Sequence, residues 1–413
     1  ENGDTAKAYR FNWNSPLFIS RHDPATIYLG GNYLMRSRDR GMSWEEVGGL
    51  DLTRQIDRSE LEIMGVPGSE PMMSIHDGTS TYGNLTVVGE SHFTGDVIYA
   101  GTDDGNVQVT RDGGDTWTNV VDNIPGLPER TYVSRLSASA HEPGRVYASF
   151  DGHRNGDYAA YVYVSENYGE DWRRIDDGLP DGWSVNVVIE HHRAPNLLFV
   201  GNEIGIFASI DRGQSWTRLK NNMPTLPVDD LVIHPRENDL IVGTHGRSAW
   251  ILEDIGPLEH LSQDVMASTA HMFPIKTTVM WAQKGDWPFY GATYSASNPP
   301  RATRLRYYVR DEVGDEQDFS VVVTDAGGDH VRSFDGPHDR GINEVLWDWR
   351  YDRPYDPPQG GGGGRGGFGG GAPQGPIVMP GTYTVTVHVD GATSSESAEI
   401  QADPRRTMTI ADR

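Results

Sequence analysis

Five carboxylates stand at strand ends in this sequence: Asp103, Asp104, Glu203, Asp229 and Asp230. Hydrolysis of a glycosidic bond needs two such groups flanking the scissile bond, about 5–10 Å apart. With 59 Asp and Glu among 413 residues, sequence proximity selects no pair, and a turn or rim position is the plainer reading of each. His141, His191, His192 and His234 could offer imidazole nitrogens to a metal. Three of them, His141, His192 and His234, fall in turns that look equivalent, where one structural role explains all three. His245-Gly246-Arg247 lies in a strand turn and is read as a turn with a salt bridge. No H-E-x-x-H, G-x-S-x-G or phosphate-loop motif occurs. The absence of cysteine excludes disulfides, thiolate metal sites and a cysteine nucleophile. The sequence thus designates no catalytic residue, no cofactor and no metal site.

The elements that must position these groups are set by a repeat. Thr110-Arg111-Asp112-Gly113-Gly114-Asp115-Thr116-Trp117 is matched position by position at Ser37, Asp39, Gly41 and Trp44, and again at Ser209, Asp211, Gly213 and Trp216. A degraded copy holds Ser165, Asn167, Gly169 and Trp172, with Asn for Asp and Asp171 where the others have Ser or Thr. The consensus S/T-x-D-x-G-x-S/T-W has a reason at each place. A short Asp or Asn side chain accepts hydrogen bonds from the backbone of its own turn. Glycine tolerates the positive φ of a tight hairpin. Tryptophan opens the next strand with a large apolar face for packing between units.

This pattern is identified as the Asp box, or bacterial neuraminidase repeat, and resembles the boxes of sialidases, xyloglucanases and sortilin-type receptors. The resemblance runs from about Tyr9 to Pro257. It implies a β-propeller in which each box joins the outer two strands of a blade. In those families the boxes face away from the substrate, so the resemblance speaks for fold and not for chemistry. A sialidase would also need an arginine triad and an early Arg-Ile-Pro-like motif, and neither is present.

Other landmarks recur with the box. A first strand ends at a His- and Pro-containing turn, as at His22-Pro24, His141-Pro143 and His234-Pro235, and a second strand ends in a small residue, as at Gly30, Gly101, Gly201 and Gly243. The step from Ser165 to Ser209 fits the roughly 40–50 residues of a four-stranded blade. The longer step from Ser37 to Thr110 contains an insertion over 48–82, weakly helical around Leu52–Ile63. A fifth, boxless unit ends in Thr244–Leu252. The expectation is an all-β chain whose residues 1–256 form a propeller of about five recognisable blades. These close as a small ring or form part of a larger one, because an open propeller exposes strand edges.

Residues 257–301 read as a linker or transition, in which the apolar run Thr277–Trp281 is read as one strand. From Ala302 to Ala402, short alternating strands with Gly and Asp turns indicate a β-sandwich. The residues Gly341, Asn343, Val345, Trp347 and Asp348, with Pro380-Gly381-Thr382-Tyr383, resemble the immunoglobulin-like domain of flagellar hook-capping and bacterial surface proteins. That resemblance implies a spacer or docking module. A Gly-rich stretch over 357–376 interrupts the sandwich. It cannot bury enough apolar surface to offset its chain entropy, and is read as a flexible loop that Phe368 and Arg365 would anchor on a partner. Residues 403–413 form a tail.

A net charge of −24 argues against nucleic acid as a partner, since phosphate neutralisation needs Lys and Arg. No apolar run is long enough to span a bilayer. The lack of cysteine fits a bacterial periplasmic or secreted protein, peripheral to a membrane. The chain starts at Glu1 without a signal-peptide pattern, and a preceding segment is read as removed. The functional expectation is a non-catalytic, extracytoplasmic interaction protein, an accessory subunit of a larger membrane-surface assembly. The alternative is a polysaccharide-active hydrolase or carbohydrate-binding protein.

Overall fold

The computed structural model describes residues 9–54, 62–63, 66–67, 69–70, 83–282, 298–314, 318–353 and 374–405. Phe368, Arg365 and most of the Gly-rich stretch lie outside these residues, as does most of the 48–82 insertion. The chain divides into two compact units, Glu1–Ile255 and Gly256–Arg413.

The first unit is a run of five antiparallel sheets, the first four of four strands and the fifth of three. The first blade comprises Leu17–Ile19, Ile27–Gly30, Leu34–Ser37 and Glu45–Gly48. The second comprises Leu85–Glu90, Ile98–Thr102, Val107–Thr110 and Thr118–Asn119. The third comprises Tyr132–Ala138, Val146–Asp151, Tyr161–Ser165 and Arg173–Arg174. The fourth comprises Val185–Glu190, Leu198–Asn202, Gly205–Ser209 and Thr217–Leu219. Val228–Ile233, Leu240–Thr244 and Ala249–Leu252 make the fifth. Each strand pairs only with its sequence neighbours, the meander of propeller blades. Of the stretch read as weakly helical over Leu52–Ile63, residues 55–61 lie outside the described residues. The described parts are a 3-10 turn at Leu50–Leu52, whose Leu52 is fully buried, and Glu62–Ile63, which pairs with Val66–Pro67 in a two-stranded sheet.

Apolar cores lie between adjacent blades. Tyr28, Leu34, Val47, Leu85 and Ile98 pack between the first and second blades. Val109, Val133, Leu136 and Phe150 join the second to the third, and Tyr147, Val162, Val188 and Phe207 join the third to the fourth. The middle strands of these internal blades are buried along their whole length, so both faces of each sheet are covered. In the first and fifth blades burial alternates instead. Tyr28 and Gly30 are buried while Ile27 and Leu29 are half-buried, and Ala249 and Ile251 are exposed beside half-buried Trp250 and Leu252. The strand period of two places one face of each end sheet inside the stack and the other in water.

The second unit is a further β domain with two sheets over one core. Ala270–Met272, Thr303–Val309 and Gly341–Trp347 form a three-stranded sheet. Thr278–Met280, Ala392–Ala402, Gly381–Val389, Phe319–Thr324 and His330–Phe334, in that spatial order, form a five-stranded one. Alternation is strict in Thr303–Val309, whose Leu305, Tyr307 and Val309 meet Val321, Val385 and Trp347 in the core. The stretch read as a linker contributes to this unit. Ala270–Met272 and Thr278–Met280 each join a sheet, and Gly256–His260 and Gln263–Ala267 are short helices.

Candidate functional site

Each Asp box is a closed hydrogen-bond cycle. In the second blade Thr110 Oγ1 donates to Asp112 Oδ1 (2.7 Å) and accepts from the Gly114 amide (2.9 Å). Asp112 accepts from the Thr116 amide (2.9 Å) and hydroxyl (2.6 Å). The same bonds recur at Ser37, Asp39, Gly41 and Ser43, and at Ser209, Asp211, Gly213 and Ser215. The degraded copy keeps the geometry and reverses one donor. Asn167 Oδ1 accepts from the Asp171 amide (2.9 Å), while Asn167 Nδ2 donates to Asp171 Oδ2 (2.9 Å). The hydroxyl donors drive the Asp39 and Asp112 carboxyls down to about 2. The consensus carboxylates Asp39, Asp112 and Asp211, and Asp171 in the degraded copy, are therefore held by their own turns.

The box glycine also fits the box to the preceding blade. Gly114, Gly169 and Gly213 have φ of +101°, +89° and +81°, and a Cβ there would meet Val47, Val120 or Ile175 within 3 Å. The box tryptophans complete the joint: Trp117 Nε1 donates to the Val47 carbonyl (2.8 Å) and Trp216 Nε1 to that of Ile175 (2.7 Å). Trp44 and Trp172 instead donate to the Gly41 and Gly169 carbonyls of their own boxes, and Trp44 is 41% exposed.

At the same end, the turns after the five first strands frame a cavity of about 440 Å³. The turns are built alike. Ser20, Ser91 and Ser139 accept through Oγ, and His191 and His234 through Nδ1, from the amide two residues on. The next position points inward in every blade, as Arg21, His92, Ala140, His192 and Pro235. His141, His192 and His234 thus occupy three different positions of one turn, which corrects the equivalence read from sequence. Each has its own role: His141 Nε2 donates to the His191 carbonyl (2.9 Å), as His22 Nε2 does to that of Ser91 (2.8 Å). Two buried carboxylates that sequence reasoning missed clasp neighbouring blades. Glu90 accepts from Ser20 Oγ and the Arg21 amide, and Glu190 from Ser139 Oγ and the Ala140 amide. Burial foremost, with Arg21 and nearby imidazoles, lowers His92 to about 4, so it is neutral at pH 7. Among the described residues no group of three or more His, Asp or Glu could hold a metal ion.

The opposite end carries the loops between second and third strands and between blades, and it gathers Asp103, Asp104, Glu203 and Asp229, while Asp230, within the strand Val228–Ile233, lines the cavity. Asp103 is fully buried and accepts from the amides of Gly83 and Asn84 (both 2.9 Å), and from the Asn12 amide group. Burial raises the Asp104 carboxyl, which accepts from Thr102 Oγ1 and the Arg54 amide. Glu203 holds Asn186 (3.0 Å), and Asp230 pairs with Arg135 and caps the Leu231 amide. Asp229 lies 3.3 Å from His245 Nδ1, the one contact made by the His245-Gly246-Arg247 turn that resembles the expected salt bridge. On this end the structure also exposes Tyr9, Phe11, Trp13, Tyr158 and Trp183, with Trp13 99% accessible. Nothing in their local sequence separates these aromatics from core ones.

The meander sheets with Asp boxes between their outer strands define a β-propeller protein. Residues 160–334 match the Sortilin-Vps10 family model, described as sortilin, neurotensin receptor 3, and the propeller is sortilin-like. A search of curated proteins finds no match to this chain. Among solved structures, the GH74 xyloglucanase of Xanthomonas campestris is 18% identical with a TM-score of 0.46, covering 63% of this chain and 40% of its own. An ancestral GH74 enzyme is 13% identical with a TM-score of 0.40, covering 95% and 48%. YCF48 bound to a D1 peptide is 12% identical with a TM-score of 0.29, covering 60% and 77%. The chain thus spans less than half the length of the two GH74 enzymes it matches. Among the described residues no helix is long and apolar enough to cross a membrane.

Proposed function

We propose that this chain is a non-catalytic, extracytoplasmic interaction protein whose loop end grips another protein, as an accessory subunit of a membrane-surface assembly. The exposed aromatics of that end carry the reading. Tyr9, Phe11, Trp13, Tyr158 and Trp183 supply the large amphipathic side chains that anchor interfaces. The carboxylates beside them are committed: Asp103 and Asp104 to buried turns, Glu203 to Asn186. The second unit serves as an immunoglobulin-like spacer or docking module. Two features support that: Trp347 packs edge-on to Tyr383 at 5.0 Å, and the Tyr383 hydroxyl donates to the Met379 carbonyl (2.6 Å). The Gly-rich stretch with Arg365 and Phe368 belongs to the same reading as a second grip.

A carbohydrate-binding or hydrolytic role is the second reading, favoured because the same aromatics could stack on sugar rings near the half-exposed Asp229. Native mass measured on material from the protein's own cells separates the two. The interaction reading expects migration with a larger heteromeric assembly, lost in Trp13→Ala/Trp183→Ala. A chain free of other proteins, whose retention on polysaccharide depends on those tryptophans, overturns it.

A further inference from the structure

Every blade lines the cavity of about 440 Å³ twice. One tier is the turn position after Ser20, Ser91, Ser139, His191 and His234, and it includes Arg21, His92 and His192. The other is the strand position two residues before the first residue of each turn: Phe18, Gly89, Ser137, Ile189 and Val232. No side chain of this strand tier is charged, and half-buried Val88, Ala138 and Ile233 extend its apolar lining. The turn tier offers nitrogen donors instead. Among the described residues neither the Arg21 guanidinium nor the His92 ring has a hydrogen-bond partner. The carboxylates of the cavity are engaged elsewhere. Glu90 accepts from Ser20 Oγ and the Arg21 amide, and Glu190 from Ser139 Oγ, the Ala140 amide and the Tyr147 hydroxyl. Arg145 stands 3.7 Å from Glu190, and Arg135 pairs with Asp230, which leaves Glu90 to balance Arg21 through space.

A cavity of this volume, mostly apolar with a few convergent polar groups, has the make-up of a small-molecule site. An uncharged strand tier beneath unpaired donors calls for a ligand with an apolar body and one anionic end. We propose that the cavity binds a small monocarboxylic acid, its body against the strand tier and its carboxylate on Arg21 and His92. A guanidinium presents paired N–H groups that match the two oxygens of a carboxylate. Arg21, His92 and His192 come from the first, second and fourth blades, which the inter-blade cores hold in one stack. The site lies at the Asp-box end, opposite the exposed aromatics, and stands independently of the interaction reading. It also carries a proton linkage. In the empty cavity burial first, then the like charges of Arg21, His141, His22 and His192, disfavours the His92 imidazolium. A bound carboxylate supplies the opposite charge and restores it, so binding takes up a proton and tightens as pH falls while the acid stays ionised.

Calorimetric titration of the purified full chain with sodium octanoate tests the proposal. One saturable site is expected, at least about tenfold tighter than for 1-octanol, which has the body without the charge, or for acetate, which has the charge without the body. Arg21→Ala should weaken octanoate binding by about tenfold or more, and its side chain is exposed with no hydrogen bond to lose among the described residues. With His92 returned to the ordinary imidazole value of about 6.5, octanoate should bind roughly tenfold tighter at about pH 5.5 than at about pH 7.5. The His92 midpoint followed by proton NMR should climb from about 4 when octanoate saturates the chain. Absence of saturable octanoate binding overturns the proposal. So does octanol or acetate binding as tightly as octanoate, or an octanoate affinity unchanged in Arg21→Ala. The comparison of the three ligands needs no variant, and decides the matter even where Arg21→Ala does not fold.

Discussion

Asn167 and Asp171 show that the Asp box selects a hydrogen-bond cycle and not a residue type. Where three boxes use a carboxylate to accept from a hydroxyl at 2.5–2.6 Å, the third blade uses an amide to donate to a carboxylate at 2.9 Å. Asn167→Asp would set two carboxylates against each other there, removing one hydrogen bond worth about 1 kcal/mol and adding repulsion. The single substitution should lower the melting temperature by about 2–4 °C per kcal/mol lost. Asn167→Asp/Asp171→Ser rebuilds the consensus and should recover most of it, a reversal that thermal unfolding reads directly. Acid has a related effect on the other boxes. Asp39 and Asp112 titrate near 2 in the fold against an ordinary 3.8, and Asp211 is also lowered, by Ser215 and Ser209 against the opposing effect of burial. A depressed carboxyl stabilises fully above its unfolded value and loses that contribution as pH falls through its folded one. Melting temperature should therefore decline between about pH 4 and pH 2, and less steeply in Asp112→Asn.

At the scale of the element, the box is a hinge pin between blades, and its glycines differ by what lies behind them. Gly41 (φ +89°) faces only its own Trp44, whereas Gly114 (φ +101°) lies against the Val47 carbonyl of the preceding blade. Gly41→Ala should cost only the strain of a left-handed residue, about 1 kcal/mol. Gly114→Ala adds a collision with backbone and should cost about 2–3 kcal/mol in all, measurable by denaturant titration. The turns framing the inner cavity give a second check. His92 is held near 4, so acidification from about pH 6.5 toward 4 protonates the unfolded chain first and destabilises the fold. A proton NMR titration of His92 should show its midpoint near 4. The four boxes, the blade meander and the tryptophan joints were legible in sequence because each fixes several residues at constant spacing. The inner turns were not. Adjacent positions carry similar residues, so His141, His192 and His234 looked equivalent. Glu90 and Glu190 precede the turn in two blades only, where Ala138 and Ile233 stand in others. The strand Ala270–Met272 escaped notice because three residues are too few to show a period, whereas Thr278–Met280 lies within the apolar run Thr277–Trp281 that the sequence marks as a strand.

For the whole molecule, a net charge of −24 governs how copies of the chain meet one another. Alternation in Leu17–Ile19 and Ala249–Leu252 is the same in sequence whether a neighbouring element covers the outer face or not, so the sequence pattern does not tell an end sheet from an internal one. Self-association through apolar surface gains from removing that area from water, about 25 cal/mol per Å². It is opposed by repulsion between two chains that each carry −24. Salt screens that repulsion over a Debye length near 10 Å at 0.1 M, and leaves the aliphatic contact untouched or strengthens it. Two-copy association should therefore tighten as ionic strength rises, with the sedimentation midpoint moving to lower protein concentration. An interface held by ion pairs would move the other way. The sign of that shift reports whether apolar surface or charged loops bring two chains together.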